Sequence, residues 1–447
     1  MTRVMDMTKG KPAKQMLIFA FPVVVTNLCQ QLYQIVDAAI VGRGVGMEAL
    51  AAVGCTDWTC WLVLWSVSTM TAGFATFVSR FFGERDYVKM NRAILISAVL
   101  SGGIGVILTV AGVLAANPLL VLLGTPDNIL DQASTYLTTM LAGTLIVTAY
   151  NLTGSILRAF GDGKSPLAAM LLAAGVNIGL DMLFVMVFQW GVFGAAFASL
   201  ISQFLAFAYC LHKILQIEYV QISGEVRHWE RKLGMEILFF GLPLALQYIF
   251  INIGGMIVQA TINEQGSTFI AGYTAVNKLY GLLECTAIAM GSAFITFASQ
   301  NYGAGNYVRV RRGVNTAMFL AVGSSLVIMV IVLPLNRILP LIFMNRLESG
   351  VEDALAVSSH YLINMTVSIP ILYLVYVHRY NLQAIGVASW SLISGIAETV
   401  VRITMATVMY CWIGVEVLFF IEPLAWLAAW LFVLVPYYAY QRKRLPC

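Results

Sequence analysis

Charge is what this 447-residue chain has least of: 11% of its residues are Asp, Glu, Lys or Arg, against about a quarter in soluble domains. Its seven cysteines (Cys29, Cys55, Cys60, Cys210, Cys285, Cys411, Cys447) show no CxxC pairing and mostly lie in apolar stretches, which argues against a disulfide framework or a zinc site. The four histidines (His212, His228, His360, His378) are scattered without an HExxH spacing. No Walker loop, Rossmann glycine pattern or nucleophile elbow occurs. Work driven by nucleotide hydrolysis within this chain therefore has no support, and no cofactor is expected. Low-complexity tracts and a separate soluble domain are also missing.

What is present is apolar surface. Hydrophobic residues make up 60% of the chain and the mean hydropathy is +0.82, more than a soluble core of this length could bury. Runs long enough to cross roughly 30 Å of hydrocarbon fall at 16–41, 57–80, 93–117, 135–157, 166–188, 191–213, 234–260, 268–297, 313–335, 356–377, 387–411 and 414–440. The expected fold is an all-α membrane protein of twelve transmembrane helices. With a cytoplasmic N-terminus, 21 of the 26 Lys and Arg residues, among them Arg3, Arg227 and Arg379, fall on the inner side. Arg43, Arg337 and Arg346 fall outside, and Lys278 and Arg402 stay within the membrane. By the positive-inside rule both termini are cytoplasmic. The first apolar run is too long for a secretory signal and lacks a small-residue cleavage site, so it reads as a spanning helix.

The chain also repeats itself. Phe74 to Arg92 (FATFVSRFFGERDYVKMNR) returns as Phe294 to Arg312 (FITFASQNYGAGNYVRVRR). Phe74/Phe294, Thr76/Thr296, Phe77/Phe297, Ser79/Ser299, Gly83/Gly303, Tyr87/Tyr307, Val88/Val308 and Arg92/Arg312 are identical. Two related six-helix lobes are expected, 1–214 and 234–447, packed around a shared interface and joined by a cytoplasmic linker at 215–233. Transporters are commonly built from such repeats.

Polar residues inside the spans are costly and so informative: a charge at mid-membrane costs about 3 kcal/mol or more. In the first span Asn27, Gln30, Gln34 and Asp37 recur at spacings of three and four, on one helix face expected to look inward. Asn177 and Asp181 sit one turn apart in the fifth span, with Ser199 at comparable depth in the sixth. Two carboxylates, a carboxamide oxygen and a hydroxyl are hard oxygen ligands suited to sodium. They suit a proton equally, because adjacent desolvated carboxylates resist being ionised together. The plainer alternative is that these groups only hydrogen-bond neighbouring helices. Trp58, Trp61 and Trp65 form a stripe that either stacks on flat cations or serves as packing or an interfacial belt. Pro22 and Pro243, at matching places in the halves, either permit bending or sit harmlessly in a first turn.

The stretches FAFPVVVTNLCQQLYQIVDAAIVGRGVGMEALAAVG, LRAFGDGKSP (Leu157 to Pro166), NIGLDMLFV with GVFGAAFASLISQ, FGLPLALQ and IAGYTAVNKL closely resemble the multidrug and toxic compound extrusion (MATE) family, in its MepA-like bacterial branch. The resemblance covers nearly the whole chain. It implies two lobes related by pseudo-twofold symmetry that alternate access and exchange cationic drugs for protons or sodium. Carried over by motif, Asp37, Asn177, Asp181 and Ser199 match the cation site of the N-terminal lobe, with Gln34, Tyr136 and Asn151 in its cavity. A serine stands at 199 where a threonine is more usual.

Aligning Ala159-Phe160-Gly161 with Ala384-Ile385-Gly386 sets Arg402 opposite Asn177 and Ala406 opposite Asp181, so the second lobe lacks a copy of that site. Glu398 is spaced to pair with Arg402 as an i, i+4 salt bridge. Glu284 has only Lys278, at a poor six-residue spacing, and is the better candidate to meet a cationic substrate, with Asn252, Gln247 and Trp61. Gln247, Asn252 and Asn364 stand where some family members place carboxylates, which makes a second sodium site doubtful. The expectation is a multidrug antiporter, not an enzyme, in the bacterial cytoplasmic membrane. Its partners would be small-molecule drugs, organic cations and the bilayer, with no nucleic acid and no obligatory protein partner. The rivals are a lipid-linked saccharide flippase, which would need a more basic cavity, and an intramembrane prenyl or acyl transferase, for which no loop supplies a catalytic cluster.

Overall fold

A computed structural model describes residues 4–221, 229–344 and 350–444. Arg3, Arg227, His228, Arg346 and Cys447, used in the sequence reading, lie outside the described residues. The described residues form α1 (Pro12–Gly44), α2 (Met47–Glu84), α3 (Tyr87–Leu122), α4 (Asp127–Ala142), α5 (Thr144–Ala159), α6 (Lys164–Asp181) and α7 (Gly191–Leu215). They continue with α8 (Arg231–Asn263), α9 (Ser267–Gly303), α10 (Tyr307–Val332), α11 (Val351–Ala384), α12 (Ser389–Thr404), the short α13 (Tyr410–Ile413) and α14 (Ile421–Arg444). No strand occurs among the described residues.

Among the described residues eleven helical spans are long and apolar enough to cross a membrane, and the bent pair α4 and α5, taken as one span, brings the total to twelve. The sequence reading gave that fourth span as one run, 135–157. It is in fact broken at Gly143, with a 47° bend. A Cβ on Gly143 would lie 2.0 Å from Leu200 of α7. The break thus falls where the helix backbone packs directly on the Leu200 side chain, which would have to shift to admit a Cβ.

The long repeat is a helix–turn–helix in both copies. Arg85 and Gly305 occupy aligned left-handed positions, with φ of 64° and 72°. Gly305 does so freely, whereas a side chain there costs about 1 kcal/mol. The next residue closes the turn in each copy, Asp86 N–H donating to Phe81 O at 3.1 Å and Asn306 N–H to Asn301 O at 2.9 Å. Asp86 then caps α3 by accepting the Lys89 N–H at 3.0 Å. Gly303 packs so closely that a Cβ would lie 1.9 Å from Arg80 O.

Two compact units emerge: residues Met1–Lys9, Phe21–Ala245 and Gly303–Gly305 form one, and Gly10–Ala20, Leu246–Tyr302 and Asn306–Cys447 the other. Their borders fall inside α1 and α8, next to Pro22 and Pro243. Both prolines are internal to their helices, so the harmless first-turn reading does not hold. Each removes a backbone donor from the i to i−4 ladder; for Pro22 the carbonyl left without its donor is that of Ile18.

In the first unit the linker is anchored at both flanks to α3. Asn91 Nδ2 donates to Tyr219 O at 2.8 Å and Asn91 Oδ1 accepts the Gln221 N–H at 3.2 Å. Tyr87 stacks on Tyr219, and Arg92 pairs with Glu230 at 2.7 Å.

Candidate functional site

In the first unit LRAFGDGKSP makes the turn that aims α6. Gly161 is left-handed, with φ 76°, and Asp162 Oδ1 accepts the N–H groups of Lys164 and Ser165 at 3.0 and 2.9 Å. Pro166 then sits in the first turn of α6, where a missing N–H is harmless. The helix so launched carries Asn177 and Asp181 on one face, 1% and 0% exposed. It passes directly into a π-helical segment, Met182–Val187.

Asn177 Nδ2 donates to Ser199 Oγ of α7 at 3.3 Å. Asp37 of α1 and Asp181 stand side by side, close enough for a proton on one carboxyl to be shared with the other. The four expected site residues are therefore brought together from α1, α6 and α7. Asp37 Oδ1, Asn177 Oδ1 and both Asp181 oxygens are buried and accept no hydrogen bond. Leaving such acceptors unsatisfied costs about 1–3 kcal/mol each, more for charged groups, a cost that a bound proton or cation would relieve. Two carboxylates with neutral oxygens suit a proton or a monovalent ion. Among the described residues no three His, Cys, Asp or Glu side chains converge as a multivalent metal centre would require.

Tyr136 of α4 is buried in the apolar core of this unit and lies within electrostatic reach of Asp37. Asn151 is half-buried, and its Nδ2 donates to Val147 O of its own helix at 2.9 Å. Gln34 is half-buried on α1, whereas Gln30, expected on the same inward face, is exposed. Trp61 is exposed too, its ring 6.1 Å from Trp58 in an edge contact.

In the second unit Glu284 of α9 is half-buried. Its Oε1 accepts from Tyr280 at 2.9 Å and from Tyr376 of α11 at 2.8 Å. Tyrosine hydroxyls, not Lys278, are thus its partners, and Lys278 is exposed. Gln247 is buried over Gly395 of α12, where a Cβ would lie 2.6 Å from Gln247 Cγ. Asn252 Nδ2 donates to Tyr248 O of its own helix at 2.8 Å. Asn364 Nδ2 is buried without a partner.

Comparison with known proteins fits this geometry. The family model MatE matches residues 22–183 and 243–427. The chain belongs to the MatE family. It is 32% identical over 306 residues, 68% of each chain, to "Probable multidrug resistance protein YpnP" of Bacillus subtilis (strain 168). It is 23% identical over 326 residues to "Multidrug export protein MepA" of Staphylococcus aureus (strain N315), covering 72% of this chain and 71% of that one. A structure described as an outward-facing conformation of a multidrug resistance MATE family transporter superposes with a TM-score of 0.90 at 22% identity, covering 99% of this chain and 98% of that one. A MOP superfamily transporter from Pyrococcus furiosus gives a TM-score of 0.89 at 22% identity, over 98% and 97% of the two chains. At that identity the likeness establishes the fold alone; membership of the family, with the multidrug resistance relative, makes the chain a membrane transporter rather than an enzyme.

Within this MatE chain, sequence reasoning missed several residues. Tyr33 lies within electrostatic reach of Asp37 and Asp181, and its i, i+4 spacing to Asp37 was the available signal. Asp57 is within reach of Asp37 and Tyr136. The second apolar run begins at residue 57, which sets Asp57 at its rim, but α2 starts at Met47, which puts Asp57 roughly three turns inside the helix. The positive-inside rule expects Arg379 among the cytoplasmic charges. It is buried and pairs with Glu398 at 2.7 Å, while Glu398 also takes its expected partner Arg402 at 2.8 Å. Arg402 in turn holds Glu422. Arg379 is therefore a buried residue of α11 and not an exposed loop charge.

Proposed function

We propose that this MatE protein exports cationic amphiphilic drugs from a bacterial cell in exchange for protons or sodium, by alternating access. It would lie in the cytoplasmic membrane with both termini inside. The observation that carries the reading is the cluster of buried, donorless oxygens on Asp37, Asn177 and Asp181 beside the Ser199 hydroxyl. A cation or proton would satisfy these oxygens, so loading and unloading the site would change which packing of α1, α6 and α7 is favoured. Binding from outside would release drug, and the loaded transporter would return inward. Glu284 would neutralise the charge of a bound drug in the second lobe (234–447), its Oε1 held by two hydroxyls. The multidrug names of the relatives from B. subtilis and S. aureus agree with this assignment. A saccharide-lipid flippase is less well supported, because the Arg402 charge is spent on Glu398 and Glu422 rather than offered to an anionic headgroup.

The test is efflux of tetraphenylphosphonium from proteoliposomes with sodium and proton gradients imposed separately. Export driven by one of the two gradients is expected. Export indifferent to both would overturn antiport.

A further inference from the structure

The repeat alignment pairs Asn177 with Arg402, and the structure supports that register in three ways. Gly161 and Gly386 are both left-handed, with φ of 76° and 87°. Helices α6 and α12 each pass into a π-helical segment just beyond the aligned residues, Met182–Val187 and Met405–Met409. Each residue also bonds the next long helix, Asn177 to Ser199 of α7 and Arg402 to Glu422 of α14.

Around these aligned positions the polarity is opposite. In the first unit the orphans are acceptors: Asp37 Oδ1, Asn177 Oδ1 and both oxygens of Asp181. In the second unit the oxygens of Glu398 and Glu422 are all satisfied. Arg402 Nε and Nη2 donate to the two oxygens of Glu422 at 3.0 and 2.6 Å. Arg402 Nη2 also lies 2.8 Å from Glu398 Oε1, and Arg379 Nη2 donates to Glu398 Oε2 at 2.7 Å. The one orphan of this cluster is a donor, Arg402 Nη1. Arg402 and Glu398 are 6% and 4% exposed, so the guanidinium is fixed among its carboxylates and out of solvent.

Packing makes room for it. Gly254 of α8 faces the Arg402 stem, where a Cβ would stand 3.3 Å from Cδ. Arg379 is held by Ser394 at 3.0 Å. The charged groups facing Arg402 are Glu398 on its own helix, Arg379 from α11 and Glu422 from α14; Tyr280 of α9 is within electrostatic reach. Two arginines and two glutamates make the cluster neutral without any guest.

We infer that Arg402 is a tethered cation: its guanidinium permanently fills the place in the second unit that an exchangeable cation takes in the first, and thereby sets the number of exchangeable cation sites at one per chain. The inference rests on the reading of the first unit as the coupling site. Arg402 is accordingly a residue that determines ion stoichiometry. A neutral side chain at 402 would leave Glu398 and Glu422 facing a space shaped for a guanidinium, with one negative charge in excess. The second unit would then accept a free monovalent cation, best of all guanidinium itself.

The experiment uses full-length protein purified in detergent and follows Tm in millimolar guanidinium chloride, with ionic strength held by N-methylglucamine chloride. Arg402→Ala should lose stability and regain it with guanidinium, saturably, by roughly 1–2 °C for each tenfold rise above its Kd. Wild type and Arg402→Lys, which keep a tethered charge, should not respond. The double variant Arg402→Ala/Glu422→Gln should also lose the response, because it restores neutrality and removes the bidentate carboxylate. A plain structural salt bridge predicts destabilisation without specific rescue, so an Arg402→Ala protein indifferent to guanidinium overturns the inference. Should Arg402→Ala not accumulate, Arg402→Lys decides: failure of that variant too shows that a tethered charge is not what the site needs. Transport through the first unit takes no part in this readout. An Asp37→Asn protein that still couples efflux to an ion gradient would sink the first-unit reading, while guanidinium rescue of Arg402→Ala would still establish Arg402 as a tethered cation.

Discussion

Asn177 donates its amide nitrogen to Ser199 Oγ at 3.3 Å, and its amide oxygen, buried without a donor, is left on the same helix face as Asp181. That single bond ties α6 to α7 and leaves the carbonyl end of the amide to accept from another group. It also explains why a serine serves at 199: a hydroxyl oxygen is all that the contact uses.

Asp37→Asn and Asp181→Asn should each abolish gradient-driven drug export while the protein still inserts in the membrane. An amide cannot carry the exchanged charge, yet it fills the same volume. Drug resistance at the wild-type level, in cells expressing either variant at equal amount, would remove the coupling role.

Ser199→Thr should preserve coupling, whereas Ser199→Ala should raise the cation concentration for half-maximal efflux. The lost neutral contact is worth about 0.5–1.5 kcal/mol, up to roughly tenfold in affinity. Titration of efflux against sodium or pH reads it directly. Equal behaviour of the two variants would show that the hydroxyl is not a ligand.

Glu284→Gln should weaken binding of quaternary ammoniums by roughly 10–100-fold, since hydrogen bonds and contacts to charged groups are worth about 1.5–3 kcal/mol. Neutral substrates should be little affected. Tyr376→Phe, which removes the 2.8 Å donor to Oε1, should show a smaller loss in the same direction. Parallel losses for charged and neutral ligands would mean that Glu284 supports structure instead.

Glu398→Gln should lower expression and Tm much more than it alters ion dependence. Two buried arginines lose a shared carboxylate, and breaking such a pairing costs about 3–5 kcal/mol. Unchanged expression together with a lost ion response would transfer the coupling role to Glu398.

Asp86→Ala should cost about 1 kcal/mol through loss of the α3 cap. Burial works to raise the Asp86 carboxyl, but the Lys89 N–H and ammonium outweigh it and hold it below the ordinary range. A depressed carboxyl contributes stability above its unfolded pKa and loses it as pH falls through the folded value. The Tm gap between wild type and Asp86→Ala should therefore be full at neutral pH and close below about pH 4. A gap that stays constant down to pH 3 would show that the charge plays no part in the cap.

The sequence by itself determined the solvent, the span count and the repeat, because each rests on a signal written along the chain. Apolar length is a local property, and Arg85 with Gly305 or Asp86 with Asn306 can be matched without knowing what they touch. It also singled out Asp37, Asn177, Asp181 and Ser199, since polar groups in an apolar helix are conspicuous. Tertiary structure alone decided what those groups meet. The Glu398–Arg402 pair was visible as an i, i+4 spacing, but Arg379 and Glu422 arrive from α11 and α14, and no periodicity in one helix encodes a partner on another. The tyrosines on Glu284 were hidden for the same reason, Tyr376 being 92 residues away in the chain. The break at Gly143 was unreadable because a glycine in an apolar run looks alike whether it faces lipid or the Leu200 side chain that would have to shift to admit a Cβ there.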